Sequence, residues 1–258
     1  MLNLPQPKLG TVTAITITTP NLDTSLEFYQ RLGFAEVQRF DFPFKWIQVS
    51  DGALLIMLIE RSDKYIALSY YTDITKIDSV VTALESEGIS FISKPASGDM
   101  VKRFIMESPD KLKISIVSNV DNFFKQPPGP TMLTTAQSDY FNPAKYANKV
   151  CGMYGEFAHP VADIEKSISF WGKLGFTVLS KFESPYPWAI ISDGLAVVGL
   201  HQTNQFDYPA ITFFAADSKE KIAALKSNGL QSFTEKGDSN IVIKTPEGQH
   251  INLFKLGM

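Results

Sequence analysis

The stretch GEFAHPVADIEKSISFWGKLGF at 155–176 repeats, more strictly, an earlier one, TAITITTPNLDTSLEFYQRLGF at 13–34. Self-similarity at a long fixed offset constrains the fold more than any single motif, because both copies must build the same kind of unit. The offset persists along the chain. Asn21 answers to Asp163, Gly33-Phe34 to Gly175-Phe176, Pro43 to Pro185, Trp46 to Trp188, and the SDG at 50–52 to the SDG at 192–194, each pair 142 positions apart. At 258 residues the chain has room for two domains of ordinary size.

Within each copy the pattern reads strand, helix, then strands. TAITITT is rich in β-branched residues, with Ile15 and Ile17 alternating against Ala14, Thr16 and Thr18. In NLDTSLEFYQRLG, Asn21 suits an N-cap, Leu22, Leu26, Tyr29 and Leu32 recur at helical spacing, and Gly33 suits the left-handed stop. The second copy repeats this with Asp163, then Ile164, Ile168, Trp171 and Leu174, then Gly175. A strand, a Pro-containing turn, a Trp-led strand ending at SDG and an apolar strand follow each helix, giving βαβββ. A second βαβββ follows in each half, with helices over 74–88 and 218–229. We place a first domain at 1–118, a linker or covering arm at 119–149 and a second domain at 150–258. The arm carries QPPGP and lacks a sustained period, yet Phe123, Phe124, Tyr140, Phe141 and Tyr146 imply that parts of it lie against the domains.

A net charge of −3 and a pI near 5.7, with Lys and Arg scattered, offer no broad attraction for nucleic acid or anionic lipid. Runs such as ALLIMLI at 53–59 are strand-sized and short of the roughly 20 residues of a membrane helix. Cys151, the single cysteine, has no internal disulfide partner, and no apolar signal segment opens the chain, so the cytoplasm is the expected compartment. The expected partner is a small molecule, with neither nucleic acid nor membrane, in a monomer or homodimer.

The residues TPNLDTSLEFYQRLGF, HPVADIEKSISFWGKLGF, DITKIDSVVTALESEG, SPDKLKISIV and TPEGQHINLF together resemble the glyoxalase, bleomycin-resistance and extradiol-dioxygenase superfamily, the vicinal-oxygen-chelate fold. The resemblance implies an α+β fold of two tandem domains, each of two βαβββ units whose mixed sheet curls into a cup. It also implies, in metal-using members, a His on the first strand seven residues before the helix cap, a His or Glu on the fifth and a Glu on the last. Carried over, with the fifth-strand position counted seven residues back from Asp73 and Asp217 as the first is from Asn21 and Asp163, those positions are Ala14, Ile66 and Ser115 in the first half and Glu156, Ala210 and Asn252 in the second. Only Glu156 is a strong ligand for a divalent ion. The sequence therefore predicts no cofactor and no family-type metal, leaving Glu156, His250 and Asn252 to converge either as an irregular metal site or as a polar anchor for a ligand.

His250 and Asn252 share a strand face by alternation, so Glu156 and His250 are the candidate catalytic pair. Two readings of Glu156 stay open: a cup carboxylate acting as general base or pairing with a cation, and a hydrated residue at the mouth. Thr212 and Phe214 face the cup by alternation, Ile211 and Phe213 pack under a helix, and Trp46 and Trp188 suit a stacking wall. Trp188, Asn252, Thr212, Phe214 and Trp46 are thus the expected ligand-binding set. His159 has the opposite parity and reads as a core histidine, His201 as a strand end near solvent, and Cys151 as an inert thiol. Three functions fit: metal-independent binding of a small apolar or aromatic molecule; a lyase, isomerase or dioxygenase-type enzyme with a displaced metal site or Glu/His proton transfer; or an interaction module with collapsed cups.

Overall fold

Each copy of the repeat builds one eight-stranded mixed sheet in the computed structural model, which describes residues 4–42 and 44–257. Pro43, matched above with Pro185, lies outside the described residues. The first half runs β1 (Val12–Thr19), α1 (Leu22–Arg31), β2 (Ala35–Phe40), β3 (Trp46–Ser50), β4 (Leu55–Glu60), β5 (Ile66–Asp73), α2 (Ile77–Ser86), β6 (Phe91–Ser93), β7 (Arg103–Glu107) and β8 (Lys113–Asn119). The second runs β9 (Met153–Pro160), α3 (Ile164–Lys173), β10 (Thr177–Phe182), β11 (Trp188–Ser192), β12 (Val197–His201), β13 (Ala210–Ala215), α4 (Ser218–Ser227), β14 (Phe233–Glu235), β15 (Ile241–Lys244) and β16 (His250–Lys255). The strand orders, β2-β3-β4-β1-β5-β8-β7-β6 and β10-β11-β12-β9-β13-β16-β15-β14, are the same topology, bearing out two βαβββ units per domain. Among the described residues no helix is long and apolar enough to cross a membrane.

The repeated landmarks have local causes. Asn21 accepts the Thr24 N–H at 2.9 Å and Asp163 the Lys166 N–H at 3.0 Å, each satisfying a helix-terminal donor. Gly33 and Gly175, at φ +87° and +93°, end those helices in a conformation that costs a side-chain-bearing residue. The SDG motifs are turns, not chemistry. Asp51 Oδ1 accepts N–H from Ala53 and Leu54, and Asp193 Oδ1 from Leu195 and Ala196; burial raises both carboxyls against those bonds.

The later helices are less regular than the count from their acidic residues assumed. Asp73 spends its carboxylate on Thr75, α2 begins only after Lys76, and neither α2 nor α4 has a side-chain N-cap bond. Strand pairing sets the register instead. Ala14 lies opposite Ser69, and Ser69 opposite Ser115. Glu156 lies opposite Thr212, and Thr212 opposite Asn252, so Ser69 and Thr212 replace Ile66 and Ala210 in the central rows.

The helix-side faces of both sheets merge into one core, where Ile15, Leu68, Tyr70 and Ile116 meet Phe157, Ile211, Phe213 and Leu253, and Phe34 meets Phe213 edge-on at 6.2 Å. Reciprocal clamps hold the halves together. Asp110, in the turn before β8, accepts from Ala162 N–H (2.8 Å) and Ser167 O–H (2.5 Å) at α3. Glu247, in the turn before β16, accepts from Ser25 O–H (2.9 Å) and Tyr29 O–H (2.7 Å) on α1. Cys151 is sealed into this boundary, its thiol directed at Leu32 O and pushed up by burial, in keeping with an inert role.

His159 sits on the helix side as its parity required, buried and 3.4 Å by its Nε2 from Ser108 Oγ of the other half. Burial pushes it down to about 4, against the pull of Asp110. The unfolded histidine takes a proton near pH 6.5, so between pH 6.5 and 4 the unfolded state binds more protons. Stability from this group is therefore full above pH 6.5 and falls with the pH through that window, by about 3 kcal/mol in all. Urea unfolding at pH 7 and pH 4.5 should show a smaller acid loss in His159→Gln than in the wild type, by about 2 kcal/mol; equal losses would refute the assignment.

Candidate functional site in the second cup

The two concave faces carry matched positions with opposite character. In the first, Val12, Ala14, Trp46, Leu55, Met57, Ile59, Tyr71 and Val117 form an apolar cluster against which Phe124 packs. The arm delivers that ring. Asn119 pins Phe124 by both backbone groups, at 3.0 Å each, and Gln126 Oε1 accepts the Thr13 N–H at 3.0 Å. Phe124 then lies 4.1 Å from Tyr71 and 5.7 Å from Trp46, while Phe123 meets Phe40 at 5.3 Å. Trp46 is left 8% exposed, so the wall expected to stack on a ligand stacks on the chain itself. Ser69 joins Thr16 (2.6 Å) and Ser115 (2.7 Å) in a closed hydroxyl chain.

In the second cup, three of those apolar positions change together at the 142-residue offset: Ala14, Met57 and Ile59 become Glu156, Gly199 and His201. Glu156 is 5% exposed; its Oε1 lies 3.1 Å from His201 Nε2 and its Oε2 has no partner among the described residues. A methyl group at Gly199 would stand 1.9 Å from Glu156 Oε2 and 2.7 Å from His201 Nε2. The glycine is therefore the space in which the pair meets. His201 ends β12 as read, but its side chain turns to Glu156 in the cup, which a reading near solvent did not anticipate. It closes β12 inside the cup because the loop 202–209, longer than its counterpart 61–65, folds Phe206 against it at 5.6 Å. The available signal was the polar-for-apolar exchange at 59 and 201, with a glycine two residues earlier.

Around this pair stand aromatics. Trp188, half-buried, stacks on Phe182 at 4.3 Å and runs parallel to His201 at 6.0 Å and 5°, and Tyr186 Oη lies 3.4 Å from His201 Nδ1. Thr212 shares the row with Glu156 and accepts from Asn252 Nδ2 at 3.1 Å. Phe214 lies over Gly155, where β9 bulges against β13. His250 is on the concave side but does not join Glu156. Tyr208 stacks on it at 3.5 Å, no hydrogen bond links it to Glu156 among the described residues, and burial with nearby Lys244 pushes its imidazole down. It lines instead a cleft of about 330 Å³ with Phe233, Lys236, Lys244 and others. A larger cleft, about 500 Å³, opens at the mouth between Val161, Pro185, Tyr186 and Gln202–Gln205.

The donor set does not match the three-ligand metal pattern of the resemblance. Glu156 and His201 are two donors, their row neighbours Thr212 and Asn252 are weak ones, and among the described residues no group of three His, Cys, Asp or Glu is placed to hold an ion.

The fold is that of the tandem vicinal-oxygen-chelate proteins. Residues 11–116 match the family model of the Glyoxalase/Bleomycin resistance protein/Dioxygenase superfamily, so the first domain belongs to it by sequence, and the second domain repeats its topology. No curated protein matches the chain. Among solved structures, the 2,3-dioxygenase LapB from Pseudomonas sp. KL28 matches with a TM-score of 0.61 at 16% identity, covering 100% of this chain and 94% of that one. Homoprotocatechuate 2,3-dioxygenase from Arthrobacter globiformis gives 0.59 at 15% identity over 98% and 82%. The 2,2',3-trihydroxybiphenyl 1,2-dioxygenase from Sphingomonas wittichii RW1 gives 0.58 at 15% identity over 98% and 91%.

Two substitutions probe the cups. Phe124→Ala should cost up to about 3 kcal/mol and make Trp46 fluorescence quenchable by acrylamide, whereas unchanged quenching would mean the ring does not seal the first cup. Gly199→Ala should cost about 1–3 kcal/mol by overpacking and break the Glu156–His201 contact. Loss of the His201 Nε2 proton resonance shift in that variant, followed by NMR, is the readout.

Proposed function

We propose that this protein binds a flat, weakly polar aromatic molecule in the second cup, without a metal, and that the first cup is structural. One observation carries the reading: a buried carboxylate oxygen, Glu156 Oε2, without a partner among the described residues, beside aromatic walls and packed with His201 over Gly199. A buried, unpaired acceptor costs free energy that an O–H or N–H of a bound molecule recovers, while Trp188 supplies a face for stacking. Thr212 and Asn252 extend the polar row along which such a ligand would be oriented.

A dioxygenase-type enzyme is the second reading, favoured by the full-length fold likeness to proteins named as 2,3-dioxygenases. Metal dependence separates the two. Catechol titrated into EDTA-treated protein should quench Trp188 fluorescence, with the signal lost in Trp188→Phe and the affinity about tenfold weaker in Glu156→Gln, the equivalent of one hydrogen bond. Quenching that requires added divalent metal would favour the enzyme; no quenching at millimolar catechol under either condition would remove the aromatic-ligand reading.

A further inference from the structure

The contacts of His201 extend past Glu156 to the mouth of the cup, and their chemistry has a direction. A carboxylate can only accept, so the 3.1 Å contact with Glu156 places the imidazole proton on Nε2. Nδ1 is then left with its lone pair toward the Tyr186 hydroxyl, 3.4 Å away. Burial, with the charge of Glu156 adding to it, keeps the Tyr186 phenol protonated beyond its usual range, so at rest it is the donor of this contact. Tyr186 also lines the 500 Å³ mouth cleft, so one end of the chain of groups is buried and the other meets solvent.

We propose that Tyr186, His201 and Glu156 form a phenol–imidazole–carboxylate relay, with Tyr186 as a nucleophile toward small polar molecules bearing an electrophilic carbonyl or sulfonyl centre. The inference rests on the second cup being the working one. Its independent support is that the relay appears or vanishes as a set: 142 residues earlier the same three positions are Phe44, Ile59 and Ala14, none able to pass a proton. Gly199, which makes room for the buried end, is Met57 there. The cleft supplies a matching donor. Gln202 already accepts the Ile164 N–H through Oε1 at 2.9 Å, which leaves its amide NH2 to hold the oxygen of a substrate's carbonyl or sulfonyl group.

In the reaction, Tyr186 Oη bonds to the electrophilic centre as its proton passes to His201 Nδ1. The leaving group departs with the electrons of the broken bond, and the carboxylate of Glu156 stabilises the imidazolium, as the orienting acid does in other nucleophile–base–acid sets. Phenylmethanesulfonyl fluoride tests this directly: an S–O bond forms at Tyr186, the S–F bond breaks, fluoride leaves, and the proton resides on His201.

Labelling of the full-length protein, mapped by peptide mass spectrometry, should modify Tyr186 at least about tenfold faster than Tyr140 or Tyr208 in the same molecules. His201→Gln should slow the Tyr186 reaction by about tenfold or more and leave the other tyrosines unaffected. Tyr186→Phe should abolish that label while leaving the labelling of Tyr140 and Tyr208 unchanged. Equal rates among the tyrosines, or a Tyr186 rate indifferent to His201→Gln, overturns the relay. If His201→Gln does not fold, the comparison within wild-type molecules decides. Absent labelling with catechol binding intact defeats the relay alone, whereas selective labelling without catechol binding defeats only the ligand assignment.

Discussion

Two curled sheets with apolar backs cannot stand alone in water, and the structure depends on their burying those backs against each other. The contact is specified by more than oil. Ser25 and Ser167 are the same position in the two copies, and each gives its hydroxyl to a carboxylate from the closing turn of the opposite half, Glu247 and Asp110. Hydrogen bonds to charged groups at the margin of an apolar contact set its register at modest net energy, because removing one partner strands the other. Duplication thus builds within one chain the kind of self-complementary interface that a symmetric dimer builds between two.

With the backs committed to each other, the concave faces are free to diverge, and they do so at few positions. The stacked pairs Phe40–Trp46 and Phe182–Trp188 persist in both, at 5.0 and 4.3 Å. What changes is the centre. Apolar side chains and an inserted phenylalanine fill one cup; a carboxylate and an imidazole meet over a glycine in the other. An aromatic ring buries roughly 150–250 Å² of surface, so Phe124 satisfies a cup that would otherwise expose Trp46 and Tyr71. The second cup leaves Trp188 only half-buried and one buried oxygen, Glu156 Oε2, unpaired among the described residues.

How much of this could be read from the chain alone depended on how local its cause was. The caps at Asn21 and Asp163, the stops at Gly33 and Gly175, and the faces of Thr212 and His159 follow from neighbours within a turn or from strand alternation, and all stand as read. The fifth-strand positions in the central rows did not follow. A count back from Asp73 or Asp217 assumes a regular helix cap, and neither α2 nor α4 has a side-chain cap bond. His201 was read as solvent-near because Phe206, which covers it, comes from a loop with no periodicity to place it. Trp46 and Trp188 are alike in sequence context, yet differ in exposure because a distant segment, the arm, reaches only one of them fully.

The path of that arm has a consequence for valency. It leaves β8, seats Phe124 against one sheet, and passes on to the other, where Met132 and Tyr140 pack beside Met153 and Ala215. A two-copy protein invites the expectation of two equivalents and of cooperativity between them. Here the tether itself is the resident of one bowl, so on the function proposed above the chain takes up one equivalent, and its doubled architecture braces the bowl left open.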